Sequence, residues 1–264
     1  MKSALLGALP QLPGAHALLR RRYERRFRTA RGAGALAGVY GSFAEAAAAG
    51  PAGAARGYDH AAAGGLYRDL LDAVRPKDYP ALFWLRTALP GAREVFDLGG
   101  HVGVSFYAFQ RYLDYPAGLR WTVCDMPAVA AEGEALARTR DASGLAFTSD
   151  SAQADGADVL LASGSLQYIP EPLDALLARL ARAPRHVVVN QLPVHPGRGF
   201  VTLQNIGVAF CPYRVAAADA LPAALAGLGY ELVDRWEDPS RRTAVPYHAE
   251  TTPIEYTGYY FRRP

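Results

Sequence analysis

The feature that most constrains the fold is a regular alternation of short apolar runs and amphipathic stretches over residues 58–264. The apolar runs have the length of strands, and the stretches between them have the length and periodicity of helices. Such an alternation predicts a doubly wound α/β fold with a mostly parallel sheet. The runs VFDL, VLLA and HVVV suit strands that are covered on both faces. No helix separates the last two runs, YELVDRW and YTGYYFRR, so an antiparallel end of the sheet is expected.

The first segment of the chain differs from the rest in charge. Residues 1–35 contain eight basic residues and one acidic residue, although the whole chain has a net charge of only +3. The remaining chain is therefore net acidic, which does not support a nucleic-acid partner. We divide the chain into a basic helical extension with an Ala/Gly-rich connector, residues 1–57, and one Rossmann-like domain, residues 58–264. Within the connector, Ser42 is expected to cap a short helix.

Two interpretations of the basic segment stay open. Its stretch HALLRRRYERRFRTA predicts a helix, which lies either on an anionic membrane surface or against the domain. The preceding apolar stretch is interrupted by Pro10 and Pro13, so we expect no membrane span. Because the arginines follow this stretch, we also expect no signal peptide. The expected location is the cytoplasm, with possible contact of the basic segment with the inner face of the membrane. The sequence does not predict an oligomeric state.

Cysteine and histidine usage argues against a disulfide framework and a metal site. Cys124 and Cys211 lie far apart in the sequence and have neither disulfide-framework nor metal-ligand spacing. We expect buried, reduced thiols, as is usual in a cytoplasmic protein. The six histidines show no metal-ligand spacing either, so no metal is predicted.

A glycine-rich turn, LGGHVG, joins the first predicted strand of the domain to a helix. Its glycines, Gly99, Gly100 and Gly103, allow close approach of a ligand to the backbone. In doubly wound sheets ligands bind at the carboxyl ends of the strands, and the start of the helix favours a carboxylate or another anionic group. The nicotinamide fingerprint G-x-G-x-x-G is absent from the turn, which reads D-x-G-x-x-x-G from Asp97.

Three aspartates fall at the ends of successive predicted strands: Asp97, Asp125 and Asp150. A carboxylate at Asp125 suits the two hydroxyls of a ribose. The neighbouring Met126 suits the face of a purine, and Asp150 suits the exocyclic amine of an adenine. Because a single strand-end aspartate is often only a helix N-cap, the ordered set of three carries the prediction of a nucleoside-bearing ligand.

Residues 58–262 resemble class I S-adenosylmethionine-dependent methyltransferases, through FDLGGHVG, CDMP, FTSDS and ADVLLASGSLQYIPEP. More narrowly, the chain is similar to a little-characterised methyltransferase subgroup, through FDLGGHVGVSFYAFQRYL, GLRWTVCDMP, LLASGSLQYIPEP and TLQNIGVAFCPYRV. The resemblance implies S-adenosylmethionine as cofactor and a seven-stranded sheet whose last strand is antiparallel. It also implies gene neighbourhoods concerned with surface-polysaccharide assembly.

The chain departs from the broad class pattern at His101, where the turn D-x-G-x-G-x-G has its middle glycine. A histidine that titrates near neutrality is a candidate base for a hydroxyl acceptor. The alternative is that His101 holds the turn or contacts the cofactor. The narrower subgroup shares this histidine, so cofactor binding itself is not in question.

Two further loops are expected beside the transferred methyl group. Ser163 is predicted to offer its carbonyl to the cofactor amine, and Gln167 and Tyr168 to face cofactor or acceptor. Packing of Tyr168 under the next helix stays equally open. After the following strand, Asn190, Gln191 and His195 are expected on the acceptor side. Tyr168 and His195 are the other two candidate bases, and a solvent-facing loop position is the alternative for His195.

The insertion FVTLQNIGVAFCPYRV interleaves polar and aromatic residues. Its predicted acceptor-binding residues are Gln204, Asn205, Tyr213 and Arg214, as parts of a loop that covers the acceptor. Capping and packing roles for these residues stay open.

The sequence therefore predicts a methyltransferase that uses S-adenosylmethionine and transfers the methyl group in line to a small-molecule or saccharide hydroxyl. The first alternative is a non-catalytic protein that binds the cofactor or serves as a scaffold at the membrane surface. The second is an NAD(P)-dependent oxidoreductase, which the missing glycine fingerprint disfavours.

Overall fold

The computed structural model describes residues 15–59 and 70–264 of the 264-residue chain. The α-helices of this part are α1 (Ala15–Phe27), α2 (Phe43–Ala48), α3 (Tyr79–Ala88), α4 (Val104–Phe109), α5 (Pro127–Thr139), α6 (Leu173–Ala178) and α7 (Ala220–Gly227). The strands are β1 (Leu36–Tyr40), β2 (Glu94–Leu98), β3 (Arg120–Cys124), β4 (Leu145–Thr148), β5 (Val159–Ser163), β6 (His186–His195), β7 (Phe200–Asn205), β8 (Phe210–Ala217), β9 (Glu231–Thr243) and β10 (Ile254–Arg262). Of the helix predicted over residues 66–75 (LYRDLLDAVR), residues 66–69 lie outside the described residues, while residues 71–75 form a turn and an irregular stretch, so the predicted helix does not extend over them.

The central part of the sheet has the strand order β4-β3-β2-β5-β6-β10-β9. The pairs from β4 to β6 are parallel, and β10 is antiparallel to both of its neighbours. This confirms the doubly wound, mostly parallel sheet with an antiparallel last strand.

Both faces of the central sheet are covered, which explains why its strands are apolar throughout. Alternate residues of a strand point to opposite faces. Val95 of β2 packs in one core cluster with Leu85 of α3 and Val129 of α5. Its neighbour Phe96 packs in the other cluster with residues of α6 and α7, such as Leu176.

The sheet of the described residues contains ten strands, so the expected count of seven is corrected. The additional strands β1, β7 and β8 form an antiparallel extension, which β8 joins to the end of β6 at Val194 and His195. The insertion that we expected to be a loop is thus a β-hairpin, β7–β8. Its side chains alternate between the two faces of the extension, and the hydrogen bond from Ile206 N to Ala209 O closes its turn.

The basic segment of the chain joins the same sheet. Strand β1, which the sequence did not indicate, pairs with β7, and Ser42 caps α2 by accepting a hydrogen bond from Glu45 N, as predicted. Helix α1 packs on the outer face of the extension through Phe27, while the Tyr23 hydroxyl donates to Leu36 O at 2.6 Å. The domain boundary at residues 57/58 stays a prediction.

Helix α1 presents its arginines to solvent. The exposed basic residues are Arg20, Arg21, Arg22, Arg25 and Arg26. No helix in residues 15–59 and 70–264 has the length and apolar character needed to cross a membrane.

Candidate active site

The glycine turn follows β2 and is built by close packing. Gly99 adopts φ +74°, and a side chain there would overlap the Cβ of Ser165. A side chain at Gly100 would overlap the carboxylate of Asp97. Gly103 adopts φ +89° at the start of α4. The turn therefore requires glycine at these positions, because of positive φ or of contact with a neighbouring side chain.

His101 is buried in the turn with φ +57°, a left-handed conformation that side chains other than glycine rarely adopt. Its backbone N–H donates to Asp125 Oδ2 at 2.9 Å, while Met126 N donates to Asp125 Oδ1 at 2.8 Å. The two backbone groups fix the orientation of the carboxylate, and each oxygen keeps a lone pair for a ligand. Burial raises the pKa of Asp125 and outweighs these hydrogen bonds and the nearby His101.

The three predicted carboxylates lie around one place in the structure. Burial raises the pKa of the Cys124 thiol to about 12, and the negative charges of Asp125, Asp150 and Asp97 add to this rise. Asp150 is exposed, and its Oδ1 accepts a hydrogen bond from Ala152 N at 2.9 Å, so it also caps a short helix. Cys124 itself is a buried free thiol, as expected, and so is Cys211.

Asp97 is the most deeply buried of the three acids, with only 1% of its surface exposed. Its Oδ2 accepts a hydrogen bond from Trp121 Nε1 at 3.1 Å, whereas its Oδ1 has no hydrogen-bond partner among the described residues. Burial raises the pKa of Asp97 to about 7; the Trp121 hydrogen bond opposes this rise and the charge of Asp125 adds to it. A buried carboxylate oxygen of this kind favours a cationic or N–H-bearing ligand.

These residues fit S-adenosylmethionine better than a dinucleotide. The cofactor carries an ammonium and a sulfonium, which suit Asp97, and a ribose diol, which suits the fixed carboxylate of Asp125. A pyrophosphate would instead meet three carboxylates, which repel it.

The loop after β5 packs against the glycine turn. The Ser165 hydroxyl donates to Leu98 O at 2.5 Å, and Gln167 Nε2 donates to Gly164 O at 2.7 Å. The Oε1 of Gln167 is buried without a partner among the described residues. The Ser163 hydroxyl accepts from Asn190 Nδ2 at 3.3 Å. Ser163 and Gln167 therefore border the turn, while the packing role of Ser165 carries no signal in the sequence alone.

Tyr168 belongs to a cluster of aromatic side chains between this loop and the hairpin. Its ring meets those of Tyr58 and Tyr213 edge to face, with centroids 5.2 and 5.3 Å away. Its hydroxyl donates to Gln204 Oε1 at 2.6 Å. Tyr213 is fully buried, and its hydroxyl pairs with that of Tyr256 at 2.8 Å. The structure thus brings together three predicted residues from two separate segments, namely Tyr168 from the loop after β5 and Gln204 and Tyr213 from the hairpin.

Three predicted residues are engaged in local structure. His195 Nδ1 accepts hydrogen bonds from Gly197 N and Arg198 N, each at 3.1 Å. Asn205 Nδ2 donates to backbone oxygens of the segment after α1, at 2.5 and 2.8 Å. Arg214 Nη2 donates to Pro170 O at 2.6 Å. The sites predicted for them stay predictions, which these contacts do not support.

A second group of polar residues lies along the middle of β6 and β9, and sequence reasoning identified two of its members, Asn190 and Gln191. Asn190 Nδ2 donates to Lys77 O at 3.2 Å, and its Oδ1 accepts from Trp236 Nε1 at 3.1 Å. Lys77 Nζ donates to Gln191 Oε1, and Gln191 Nε2 donates to Asp238 Oδ2, each at 3.2 Å. Lys77, Trp236 and Asp238 lie far from β6 in the sequence. No local motif could therefore have indicated that they contact Asn190 and Gln191.

Among the residues that the structure describes, no cluster of three or more histidine, cysteine or acidic side chains has the geometry of a metal site. The arrangement supplies carboxylates, hydroxyls and one lysine at the carboxyl edge of the sheet.

No protein-family model matches the chain, and no curated protein matches it. Among solved structures, magnesium protoporphyrin IX methyltransferase (ChlM) from Synechocystis PCC 6803 with bound SAH matches with a TM-score of 0.51 and 16% identity, over 78% of this chain and 97% of that chain. The 1,6-didemethyltoxoflavin-N1-methyltransferase of Burkholderia thailandensis, with bound 1,6-didemethyltoxoflavin and S-adenosylhomocysteine, matches with a TM-score of 0.47 and 20% identity, over 71% and 78%. The CcbJ methyltransferase from Streptomyces caelestis matches with a TM-score of 0.48 and 16% identity, over 73% and 98%. The strand order and the first of these matches show that the chain has the Rossmann-like fold of class I methyltransferases.

Proposed function

We propose that the protein is an S-adenosylmethionine-dependent methyltransferase. The observation that carries this proposal is the set of three carboxylates around the glycine turn, within a fold of this class. The fold alone does not identify a ligand. The placement of a buried acid, a fixed acid and an exposed acid at three adjacent strand ends is what favours this cofactor.

The cofactor would lie along the ends of β2, β3 and β4. Asp125 accepts the ribose hydroxyls, and Met126, which is 45% exposed, covers one face of the adenine. Asp150 accepts from the exocyclic amine. The turn over residues 97–103 holds the methionine part, with the ammonium near the free oxygen of Asp97. When bound, S-adenosylmethionine supplies an electrophilic methyl group on its sulfonium.

The acceptor would lie on the other side of the turn, toward β6 and the aromatic cluster. We propose a hydroxyl group of a small molecule or saccharide, in keeping with the resemblance to a subgroup associated with polysaccharide assembly. Tyr168 and Gln204 offer a hydrogen-bonding pair beside aromatic faces, which suits a polar ring.

Three groups were predicted as bases for the acceptor hydroxyl, and their geometry separates them. The Nδ1 lone pair of His195 already accepts two backbone N–H groups, so the proton of its neutral ring lies on Nε2. That ring has no free lone pair in this conformation. His101, at the turn, and Tyr168, beside it, remain the candidate bases.

Isothermal titration calorimetry of the full chain with S-adenosylhomocysteine and with NAD tests the proposal. We expect saturable binding of S-adenosylhomocysteine and no heat of binding with NAD. Tight NAD binding without S-adenosylhomocysteine binding would favour an oxidoreductase. Binding of S-adenosylhomocysteine without methyl transfer to any hydroxyl acceptor of a broad panel would favour the non-catalytic alternative.

For the basic segment we propose contact with an anionic membrane surface, because α1 packs through its aromatic residues and leaves its arginines exposed. Co-sedimentation with phosphatidylglycerol vesicles, but not with phosphatidylcholine vesicles, is expected. Replacing Arg21, Arg22 and Arg25 by Gln should abolish it, whereas the same change at the exposed Arg86 and Arg138 should not. Equal loss in both variants would contradict a site on α1.

A further inference from the structure

The carboxyl edge of the sheet has opposite charges on its two halves. The strand order places the ends of β2, β3 and β4, with their three aspartates, on one half. On the other half lie β6, β10 and β9, where Lys77 and Arg241 are found beside Gln191. The acidic half is the one that fits the cofactor. The basic half is therefore available for binding the methyl acceptor.

Lys77 is half-buried and contributes an ammonium group that is not paired with a carboxylate. Its Nζ donates to the neutral amide oxygen of Gln191 at 3.2 Å. Across residues 15–59 and 70–264, no carboxylate oxygen lies within ion-pair distance of this nitrogen. Two of its three N–H groups are therefore left for a ligand or solvent.

The charges around Lys77 come from several elements. Burial, together with the positive charges of Arg75 and Arg241, lowers the pKa of Lys77 to about 8. The negative charges of Asp78 and Asp238 act in the opposite direction. Arg75 forms its own ion pair with Asp78 at 3.2 Å. Arg241 and Asp238 are the other two charged groups that act on Lys77.

Gln191 forms a hydrogen bond with the carboxylate of Asp238 on β9. It adopts φ +59°, a strained conformation for a residue other than glycine, and such strain is often found at functional sites. Its Nε2 donates to Asp238 Oδ2 at 3.2 Å, while Ser240 N and the Ser240 hydroxyl both donate to Asp238 Oδ1. Burial raises the pKa of Asp238, but these hydrogen bonds and the charge of Lys77 outweigh it, so the pKa lies below its usual value.

Arg241 places a second cation beside this group. Its guanidinium lies over the ring of Tyr256, 4.0 Å from the centroid. The Tyr256 hydroxyl pairs with that of Tyr213, so Arg241 connects Lys77 to the aromatic cluster at which the acceptor would bind. Because the positive charges of Lys77 and Arg241 repel each other, an anion bound between them would be favoured.

We propose that Lys77 and Arg241 bind an anionic group, a carboxylate or a phosphate, on the methyl acceptor. The proposal rests on the proposed function for the identity of the acceptor, but the anion site itself does not. Asn190 places this site beside the cofactor turn, since it contacts both Lys77 O and the Ser163 hydroxyl. Charge-assisted hydrogen bonds from lysine and arginine are the strongest that a protein offers to such a group.

The lysine content of the chain allows a direct test. Lys2 and Lys77 are the only lysines, so the full chain labelled with 13C at lysine Cε gives two signals by NMR. The signal that disappears in Lys77→Arg identifies Lys77. We expect inorganic phosphate at pH 7 to shift this signal and to raise the pKa of Lys77 above its value without phosphate. Acetate in a parallel titration shows whether a carboxylate is preferred.

Matched variants localise the site. Arg241→Met should weaken phosphate binding, measured by the shift of the Lys77 signal, at least about tenfold, or about 1.4 kcal/mol. Arg242→Met, on the exposed neighbouring position of β9, should leave it unchanged. A Lys77 signal that neither anion moves would overturn the proposal, and so would equal weakening by Arg241→Met and Arg242→Met.

Calorimetry with S-adenosylhomocysteine on the same samples separates this proposal from the proposed function. Normal S-adenosylhomocysteine binding with no response of Lys77 to either anion would reject the anion site alone. A Lys77 response without S-adenosylhomocysteine binding would reject the methyltransferase proposal alone.

Discussion

At the scale of single residues, Asp97 shows how the site is built. The carboxylate lies among an indole, a glycine and a second acid, and burial raises its pKa to about 7. In the unfolded chain its pKa would return to about 4. Between these two values the folded protein binds one proton more than the unfolded chain, so the Asp97 contribution to stability falls as pH rises from about 4 to 7.

Replacing Asp97 by Asn should therefore stabilise the protein above pH 7, by a few kcal/mol at most, because an amide carries no charge to bury. At pH 4 the variant and the wild type should unfold with similar free energies. Urea unfolding at the two pH values measures this difference. The same variant should bind S-adenosylhomocysteine more weakly. A variant that has the stability of the wild type at both pH values and binds normally would contradict the account.

His101 permits a test of backbone strain with two variants that both lack the imidazole. At φ +57° a Cβ atom is unfavourable, so His101→Gly should be more stable than His101→Ala by about 1 kcal/mol. Chemical denaturation of both variants provides the comparison. A more stable alanine variant would show that the turn does not adopt this conformation.

The glycine variant of His101 also separates a base from a structural residue. If the histidine only holds the turn, both S-adenosylhomocysteine binding and turnover should survive in this variant. Normal binding with strongly reduced turnover, and a changed pH profile of the residual activity, would assign the role of base to His101.

At the scale of elements, the hairpin β7–β8 was the main feature that the sequence did not predict. Its sequence, FVTLQNIGVAFCPYRV, contains both polar and aromatic residues, which are compatible with a loop as well as with a strand. It is ordered as strands because β1 pairs with β7 and β8 joins β6, contacts between segments that are distant in the chain. By contrast, the strands of the central sheet were predictable, because burial on both faces imposes a local apolar pattern.

Asn205 ties this extension to the segment after α1. Its side-chain amide donates to Phe27 O and Thr29 O, and its Oδ1 accepts from Gly207 N. Replacing Asn205 by Ala should lower the free energy of unfolding by about 2–3 kcal/mol, because buried backbone groups lose their partner. Val208→Ala, at an exposed position of the same hairpin turn, should cost less than about 0.5 kcal/mol.

Thermal or urea unfolding gives these values, and calorimetry should show unchanged binding of S-adenosylhomocysteine in Asn205→Ala. A variant as stable as the wild type, or one that is stable but fails to bind, would argue that Asn205 belongs to the site and not to the extension.

At the scale of the whole molecule, the sheet divides its carboxyl edge by charge. The three aspartates could be identified from the sequence because each ends a strand, and the position of strand ends is a local property. Lys77 and Asp238 could not, because only the folded chain brings them to Gln191 of β6. This division fits the cationic cofactor proposed for one side and the anionic acceptor proposed for the other.

The central claim is that the acids around the glycine turn bind the cofactor, and calorimetry with S-adenosylhomocysteine on two Asp→Asn variants tests it most directly. Asp125→Asn removes the fixed carboxylate, whereas Asp114→Asn makes the same change at an exposed position after the turn helix. We predict at least about tenfold weaker binding for Asp125→Asn and wild-type affinity for Asp114→Asn. Equal affinities of the two variants would contradict the account.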